Sequence, residues 1–416
     1  MEIWIFNHYA ISGNSIGITR HYDLAKYLVS RGHNVKIFAS SFNHQTRKEE
    51  HLENKKDIYK VAEIEGVEFV WIKTTPYRRN NIKRIFNILS YTIRVNKLSK
   101  KFKSKPDIVL GSLFHPLAVV VARKVAKRNN SLFYFEERDF WPQTMVDFGK
   151  ISKNNPIAKL LYKLEKSFYK DADRIILLFE QAKNYVISKG ENENKMLYLP
   201  NGVDFQRNNK KTTLDREMEM FFQLKRDKII SIYLGTHGLA NNLDCILDAA
   251  KTLKNTENEF VFVGDGPEKE RLIQRKNNEN IENVHFFNPI SKDEVSSVLK
   301  YADIGLLPLK ESPVFKFGIS PNKLYDYMVN KLPVLLLCDL DNSPVEKYDA
   351  GYIIRNNFSA NIAKFYKNLN QAELKLKGFN GYESVVEYHD WNKLAGKLEK
   401  VILEDLHNKK GLEKNV

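Results

Sequence analysis

Five short segments of this chain combine residue types able to hold or move a charged group. Gly13-Asn14-Ser15-Ile16-Gly17 lies between an apolar run and a helical pattern. Two glycines let backbone N–H groups approach a phosphate, and a helix N-terminus adds favourable partial charge. No third glycine completes a dinucleotide fingerprint, and a plain flexible turn suits the segment equally. Gly235-Thr236-His237-Gly238 follows another apolar run directly. An α/β domain exposes backbone amides to anions at such a point. His237 can donate to a phosphate oxygen, or simply satisfy its own loop.

Gly264-Asp265-Gly266-Pro267 permits a tight strand-to-helix turn, with Pro267 in the first helical turn, which is a structural task. Ser320-Pro321-Asn322-Lys323-Leu324-Tyr325-Asp326-Tyr327 opens a helix after a proline-rich loop. A lysine there opposes the helix dipole unless it faces an anion. Asp326, three residues on, shares its face. Lys323 on a diphosphate with Asp326 on a ribose diol is one reading; a surface salt bridge is the other. Glu136-Glu137-Arg138-Asp139 ends a buried apolar run, where charges are placed to face a cleft. Asp171-Ala172-Asp173 and Asp339-Leu340-Asp341 lack further hard ligands nearby, so no metal site is expected.

The elements that must position these residues alternate along the chain. Strand patterns at Ile3–Phe6, Val35–Ala39, Val67–Ile72, Ile108–Leu110, Leu132–Phe135, Arg174–Leu178 and Lys195–Tyr198 are separated by helical ones, notably Ile18–Arg31, Ile82–Lys103, Pro116–Arg128 and Ile157–Lys170. Asn43–Lys60 is polar and reads as a mobile loop with some helix. The pattern resets after Pro200-Asn201-Gly202, with strands at Ile229–Leu234, Glu259–Val263, Val284–Phe287, Ile304–Pro308, Pro333–Leu337 and Gly351–Ile354. Ser291 and Glu294 have capping-box spacing. The expected fold is α/β, with two Rossmann-like doubly wound domains facing an inter-domain cleft, residues 1–200 and 201–387. A terminal helix within 388–416 is expected to pack back on the first domain.

The 416 residues call for two cores, and 43% hydrophobic with 28% charged residues is ordinary globular composition. No apolar run reaches transmembrane length, and the start reads as a strand rather than a signal peptide. Two cysteines, Cys245 and Cys338, form no disulfide framework, and a reducing cytoplasm fits. The net charge is +15, and between Tyr77 and Lys105 ten basic residues meet no acidic one. Ile82, Ile85, Phe86, Leu89 and Ile93 recur among them at helical spacing. Ile157–Lys170 repeats the pattern. Both segments suit an anionic membrane surface or, alternatively, pack their apolar stripes on the core. A nucleic-acid partner is disfavoured, because the basic residues lie among aliphatics and no such motif occurs.

Taken together, the landmarks resemble the retaining glycosyltransferase family 4, of GT-B fold. Pro200-Asn201-Gly202-Val203-Asp204 resembles its inter-domain motif, Gly264-Asp265-Gly266-Pro267 its next landmark, and Lys323–Pro333 its donor-binding helix and following strand. Asn7-His8-Tyr9-Ala10, Arg138-Asp139-Phe140-Trp141-Pro142, Gly235–Gly238 and Ser320–Leu324 resemble the branch of L-fucosamine (N-acetylfucosamine) transferases, which build bacterial surface polysaccharides such as capsule or O-antigen. Three departures stand out. The family's paired glutamates fall on Gly318 and Asp326, Thr236 replaces an arginine, and the first-domain histidine that contacts the transferred sugar has no evident counterpart.

The resemblance implies a sugar, an N-acetylated amino sugar in that branch, moved from a nucleotide donor, UDP-linked, to a polyprenyl-diphosphate-linked saccharide. The enzyme would work at the inner face of the plasma membrane without cofactor or metal. Donor contacts would fall to Gly235, Thr236, His237, Gly238, Ser320, Asn322, Lys323 and Asp326. Gly13, Asn14 and Gly17 would line the acceptor side, with Arg138, Asp139 and Lys323 catalytic. The leaving diphosphate would depart on the face the acceptor attacks, so the protein mainly positions groups and stabilises charge. Two alternatives stand beside this: a non-catalytic partner subunit and a non-hydrolysing nucleotide-sugar epimerase.

Overall fold

The computed structural model describes residues 1–13, 15–78 and 81–414. The chain divides into two compact units, Met1–Pro200 with Trp391–Val416, and Asn201–Asp390.

The first unit holds β1 (Glu2–Phe6), β2 (Asn34–Ser40), the short pair β3 (Phe42–Asn43) and β4 (Lys48–Glu49), β5 (Tyr59–Ile64), β6 (Val67–Ile72), β7 (Ile108–Ser112), β8 (Leu132–Glu137), β9 (Arg174–Leu177) and β10 (Met196–Tyr198). Eight of them form one sheet in the order β10-β9-β8-β7-β1-β2-β6-β5. All neighbours are parallel except β5, which pairs antiparallel with β6. β4 lies inside the segment expected to be a loop with some helix, and β5 starts at its end, overlapping it only at Tyr59 and Lys60. The side chains of β5 are mostly exposed, so no alternating apolar pattern marks it. The turn that makes it a strand is Glu65-Gly66, both at positive φ (48° and 79°) as a two-residue hairpin turn requires.

The second unit holds β11 (Ile229–Leu234), β12 (Asn258–Val263), β13 (Val284–Phe287), β14 (Ile304–Pro308), β15 (Val334–Leu337) and β16 (Gly351–Ile354). They form an all-parallel sheet, β13-β12-β11-β14-β15-β16. Strands buried on both faces read as continuous apolar runs, which is why these segments were legible. The Ser291 capping box forms, with Glu294 Oε2 accepting the Ser291 backbone N–H at 2.8 Å.

The returning helix spans Trp391–Lys414. Trp391, Leu394, Ala395, Leu398 and Ile402 share one core with Ile3, Leu24, Leu28 and Ile37 of the first unit. Residues 388–390 do not belong to it. Tyr388 ends the helix Gln371–Tyr388, and His389 and Asp390 stay with the second unit. There His389 O accepts from Val203 N at 2.7 Å and His389 Nδ1 bonds Asn201 O at 3.1 Å.

Apart from the antiparallel edge strand β5, each sheet reverses its strand order once, between β1 and β7 and between β11 and β14. At such switch points neighbouring connections leave in opposite directions and open a crevice beyond the carboxyl ends. The sequence motifs at Asn7–Ala10 and Gly235–Gly238 follow β1 and β11 and so border these two crevices.

Candidate functional site

In the second unit β11 and β14 pair only at Ser231–Ile304 and Ile232–Gly305, then part. Tyr327 fills the gap. Its hydroxyl accepts from Leu234 N at 3.0 Å and donates to Leu306 O at 3.2 Å. Its ring lies where a side chain on residue 305 would be, for a Cβ on Gly305 would meet Tyr327 Cγ at 2.4 Å. Tyr327 belongs to the helix Asn322–Val329, so the same packing fixes Lys323 and Asp326.

Lys323 Nζ sits 3.8 Å from the centre of the Tyr233 ring and 3.1 Å from where a Gly235 Cβ would stand. Gly235 has φ +130°, so a side chain there would be strained as well as crowded. Burial pulls the Lys323 ammonium down to about 7, with Asp326 acting the other way. Asp326 is not its ion-pair partner. Lys292 Nζ grips both carboxylate oxygens of Asp326, at 2.5 and 2.6 Å. Of the two readings for this helix, the salt bridge exists, but with a lysine from a different segment. Lys323 is left without a carboxylate at ion-pair distance among the described residues.

Two loops meet back to back beside it. A Cβ on Gly264 would lie 1.9 Å from Gly235 O, and one on Gly266 would lie 2.3 Å from His237 O. The glycines of Gly264-Asp265-Gly266 thus allow backbone contact, the structural task expected of them. That contact also uses up most of the amides expected to hold an anion. Gly235 N donates to Val263 O, His237 N to Asp265 O, and Gly238 N to Thr236 O. Of the four amides only that of Thr236, an exposed residue, has no hydrogen-bond partner among the described residues.

The His237 ring is fully buried near the rings of Tyr233, Phe262 and Phe286. Burial, then Lys269, holds it at about 4, so it is neutral at physiological pH. Neither ring nitrogen has a hydrogen-bond partner among the described residues, so the ring does not satisfy its own loop. Ser320 is also engaged: its hydroxyl accepts from Asn201 N at 3.2 Å and pairs with Tyr325 Oη at 3.0 Å, while Asn201 Nδ2 donates to Ser320 O. Ser320 therefore ties the Pro200-Asn201-Gly202 segment to the helix start. Asn322 opens that helix behind Pro321, which offers no side-chain cap.

In the first unit the charged run Glu136–Asp139 splits between faces, as side chains on a strand must. Glu136 turns to Arg20 Nε (2.7 Å), His21 Nε2 (2.8 Å) and Ser112 Oγ (2.6 Å). Burial alone would raise its carboxyl, but Arg20 and His21 hold it well below the usual range. Arg20 also donates to Leu199 O and Pro200 O. Glu137 turns the other way, accepting from Tyr169 Oη at 2.8 Å and Phe140 N at 3.0 Å. Both glutamates are buried structural groups, not cleft-facing ones. Arg138 is buried with its guanidinium 4.4 Å from the Phe114 ring, and Asp139 is exposed.

Gly17 has φ +141° and lies against Ile11 and Gln45; Gly13 is buried; Asn14 lies outside the described residues. The helix that follows starts at Arg20, and Thr19 Oγ1 donates to Asp23 Oδ2 in its first turn at 2.6 Å. That first turn already carries an acidic residue favourable to the helix dipole.

The aspartates weighed for metal are ion-paired or bonded: Asp171 to Arg123, Asp173 to Phe133 N, and Asp341 to Arg355. Among the described residues no group of three or more His, Cys, Asp or Glu is placed to hold a metal ion. Sequence reasoning gave Tyr327 no role and missed Lys292, Tyr233 and the pair His8–His115, whose rings bond at 2.8 Å across the β1/β7 switch point. His115 directly precedes Pro116 at a helix start, which marks it as a cap. Nothing local marks its partner, 107 residues away.

Comparison with known proteins agrees with this architecture. Residues 17–207 match the family described as Glycosyltransferase Family 4, and residues 215–373 match Glycosyl transferases group 1. A putative colanic acid biosynthesis glycosyl transferase, WcaI of Escherichia coli (strain K12), is 23% identical over 309 residues, 73% of this chain and 74% of that one. Sucrose-phosphate synthase from Thermosynechococcus elongatus superposes with TM-score 0.74 at 13% identity, covering 97% and 98% of the two chains. Anabaena HepE, solved with UDP-glucose, superposes with TM-score 0.68 at 13% identity, covering 97% and 100%. The fold and the two matches together define a glycosyltransferase built from two Rossmann-like units, the GT-B architecture. Within that class the amino-terminal half resembles the family 4 enzymes and the carboxyl-terminal half the group 1 transferases.

Proposed function

We propose that the chain moves a sugar, an N-acetylated amino sugar, from a UDP-linked donor to a lipid-linked saccharide acceptor in bacterial surface polysaccharide synthesis. The observation that carries this reading is Lys323. It is a partly buried ammonium at the β11/β14 switch point, held against Tyr233 and Gly235 with no carboxylate partner among the described residues. A cation so placed gains most from an anion that arrives with the substrate. The Thr236 amide and the uncapped start of the helix at Asn322 add donors of the same polarity. A diphosphate matches this set. Asp326 keeps lone pairs beyond those used by Lys292 and accepts the ribose diol.

WcaI is named for colanic acid biosynthesis and HepE was solved with UDP-glucose, which supports the polysaccharide and UDP parts of the reading. The residues Asn7–Ala10 and Arg138–Pro142 support the fucosamine branch. Arg138 and Asp139 orient the sugar or acceptor, and no metal takes part. The helix Ile82–Leu98 supports attachment to an anionic membrane. Ile82, Ile85, Phe86, Leu89 and Ile93 are all exposed beside its basic residues, so this stripe does not pack on the core of its own unit. In the helix Pro156–Asp171 only Ile157 and Leu160 are exposed large apolar groups, while Phe168 is buried. No helix among the described residues is long and apolar enough to cross a membrane.

The test is binding and slow hydrolysis across a panel of UDP- and GDP-sugars, with Lys323→Ala and Asp326→Asn alongside. One donor class bound and hydrolysed, with both weakened at least tenfold in the variants, is the expected result. No binding of any nucleotide sugar would replace this reading with that of a non-catalytic partner subunit.

A further inference from the structure

The β1/β7 switch point of the first unit holds a cluster of rings and donors that the donor-site reading does not use. His8 lies between the parallel rings of Tyr9 (4.3 Å) and Tyr91 (4.2 Å). His115 meets it edge-on, and Phe114 meets Tyr9 edge-on at 5.4 Å. The Arg84 guanidinium stands 5.8 Å from the Tyr9 ring and that of Arg138 4.4 Å from the Phe114 ring. Four buried polar atoms of this cluster have no hydrogen-bond partner among the described residues: His8 Nε2, Tyr9 Oη, Arg84 Nε and Arg138 Nη1. Buried polar atoms are rarely left unpaired, and four orphans within one contiguous ring cluster point to a missing ligand.

The proton positions follow from the hydrogen bonds. The Ala118 backbone N–H, in the first turn of the helix Pro116–Asn129, donates to His115 Nδ1 at 3.3 Å. A ring that accepts at Nδ1 and is neutral carries its proton on Nε2. His115 is neutral, since burial and then Arg84 hold it at about 3. Its Nε2–H therefore donates to His8 Nδ1 at 2.8 Å. His8 is likewise kept neutral, by burial first and His115 next, so its own proton sits on Nε2, the orphaned atom. The helix cap thus sets His115, and His115 sets His8, as a fixed donor. All four orphans then present protons, two of them from guanidinium groups. Glu136, the buried carboxylate behind Arg138, is already taken by Arg20, His21 and Ser112.

We propose that His8, Tyr9, Arg84 and Arg138 form a second oxyanion site, in the amino-terminal unit, that binds a phosphate-class group, with His115 as the positioning residue for His8. Two guanidinium groups and two neutral donors in one ring cluster match a phosphate's several acceptor oxygens, with exposed Asp139 the neighbouring carboxylate whose charge reaches Arg138. Arg84 belongs to the helix Ile82–Leu98, whose outer face carries the exposed Ile85, Phe86 and Leu89. An apolar surface on the element that supplies the cation suits an amphiphile with a diphosphate head. This deepens the proposed function by giving the acceptor's chemistry, and it rests on that reading only for the word acceptor.

The experiment combines nitrogen-15 histidine NMR with calorimetry on the full chain. His8 and His115 should both show the Nε2–H tautomer, and inorganic pyrophosphate should shift the His8 Nε2 resonance while acetate should not. Farnesyl diphosphate should bind the native protein and lose at least tenfold in affinity in His8→Phe, which keeps the ring stack, and in Arg84→Met, at a partly exposed position. His115→Phe should free His8 to take either tautomer, a change that lost packing alone would not produce. UDP, titrated against Lys323→Ala, reports the other site. An Nδ1–H tautomer at His8, an equal response to acetate, or farnesyl diphosphate binding lost only in Lys323→Ala would overturn the proposal. Failure of UDP to bind would instead strike the donor-site reading and leave this one standing.

Discussion

A lysine held near pKa 7 makes donor affinity depend on pH in a way that exposed lysines do not. With the Lys323 ammonium at about 7, it is roughly nine-tenths charged at pH 6 and roughly one-tenth charged at pH 8. A nucleotide sugar carries a diphosphate diester whose charge is constant over that range. If the diphosphate binds the charged lysine, affinity should fall about tenfold between pH 6 and pH 8, about 1.4 kcal/mol. Isothermal calorimetry with the donor found in the panel would read the slope. Repeating the pH 7 titration in buffers of different ionisation enthalpy should show net proton uptake. Lys323→Arg keeps its charge throughout and should flatten the profile. A flat profile in the native protein, or the same slope in the arginine variant, would refute the reasoning. The sign for stability without ligand follows from the same shift. The folded value lies below the ordinary 10.5, so the cost of burying the charge is fully present below pH 7. It is relieved as pH rises from about 7 towards 10, where the unfolded chain holds the extra proton.

Further outcomes test the frame around the site. Gly305→Ala drives a Cβ into the buried Tyr327 ring and should cost about 1–3 kcal/mol, seen as a lowered midpoint in chemical denaturation. Arg20→Met leaves Glu136 buried with its main cation gone and should cost about 3–5 kcal/mol, partly recovered by adding Glu136→Gln. A chain stopped at Asp390 removes five buried residues from the first core, a loss on the scale of a domain's whole stability of about 5–15 kcal/mol. It should be insoluble, and a soluble, active truncation would contradict the packing. Gly264→Ala should abolish donor binding with a smaller effect on the first unit's unfolding, because its Cβ strikes the Gly235 carbonyl directly.

The parts of the site legible from sequence were those marked by local backbone need. Gly235, Gly264 and Gly266 stand where two loops touch through their backbones, and a glycine is visible in one dimension. Lys323 stood out because a cation at a helix start is unfavourable without an anion. The acid–base partners were not legible in the same way. Asp326 and Lys323 share a helix face by spacing, yet Lys292 takes the carboxylate from 34 residues away. Glu136 and Glu137 read as part of one charged run facing a cleft, but strand geometry sends them to opposite sides of the sheet, into separate buried networks.

The sequence alone determined the two-unit α/β architecture, because parallel strands buried on both faces must be apolar runs and their connections amphipathic helices. It also placed the turns, the glycines and the order of landmarks that carry the family resemblance. Only the tertiary structure decided which amides were already spent, which lysine pairs Asp326, and that His8 meets His115. Those outcomes depend on distances between strand ends set by sheet order and by the splay of β11 from β14. Hydrophobic periodicity fixes elements, while polar pairing is chosen among whatever side chains the sheet order brings within about 3 Å.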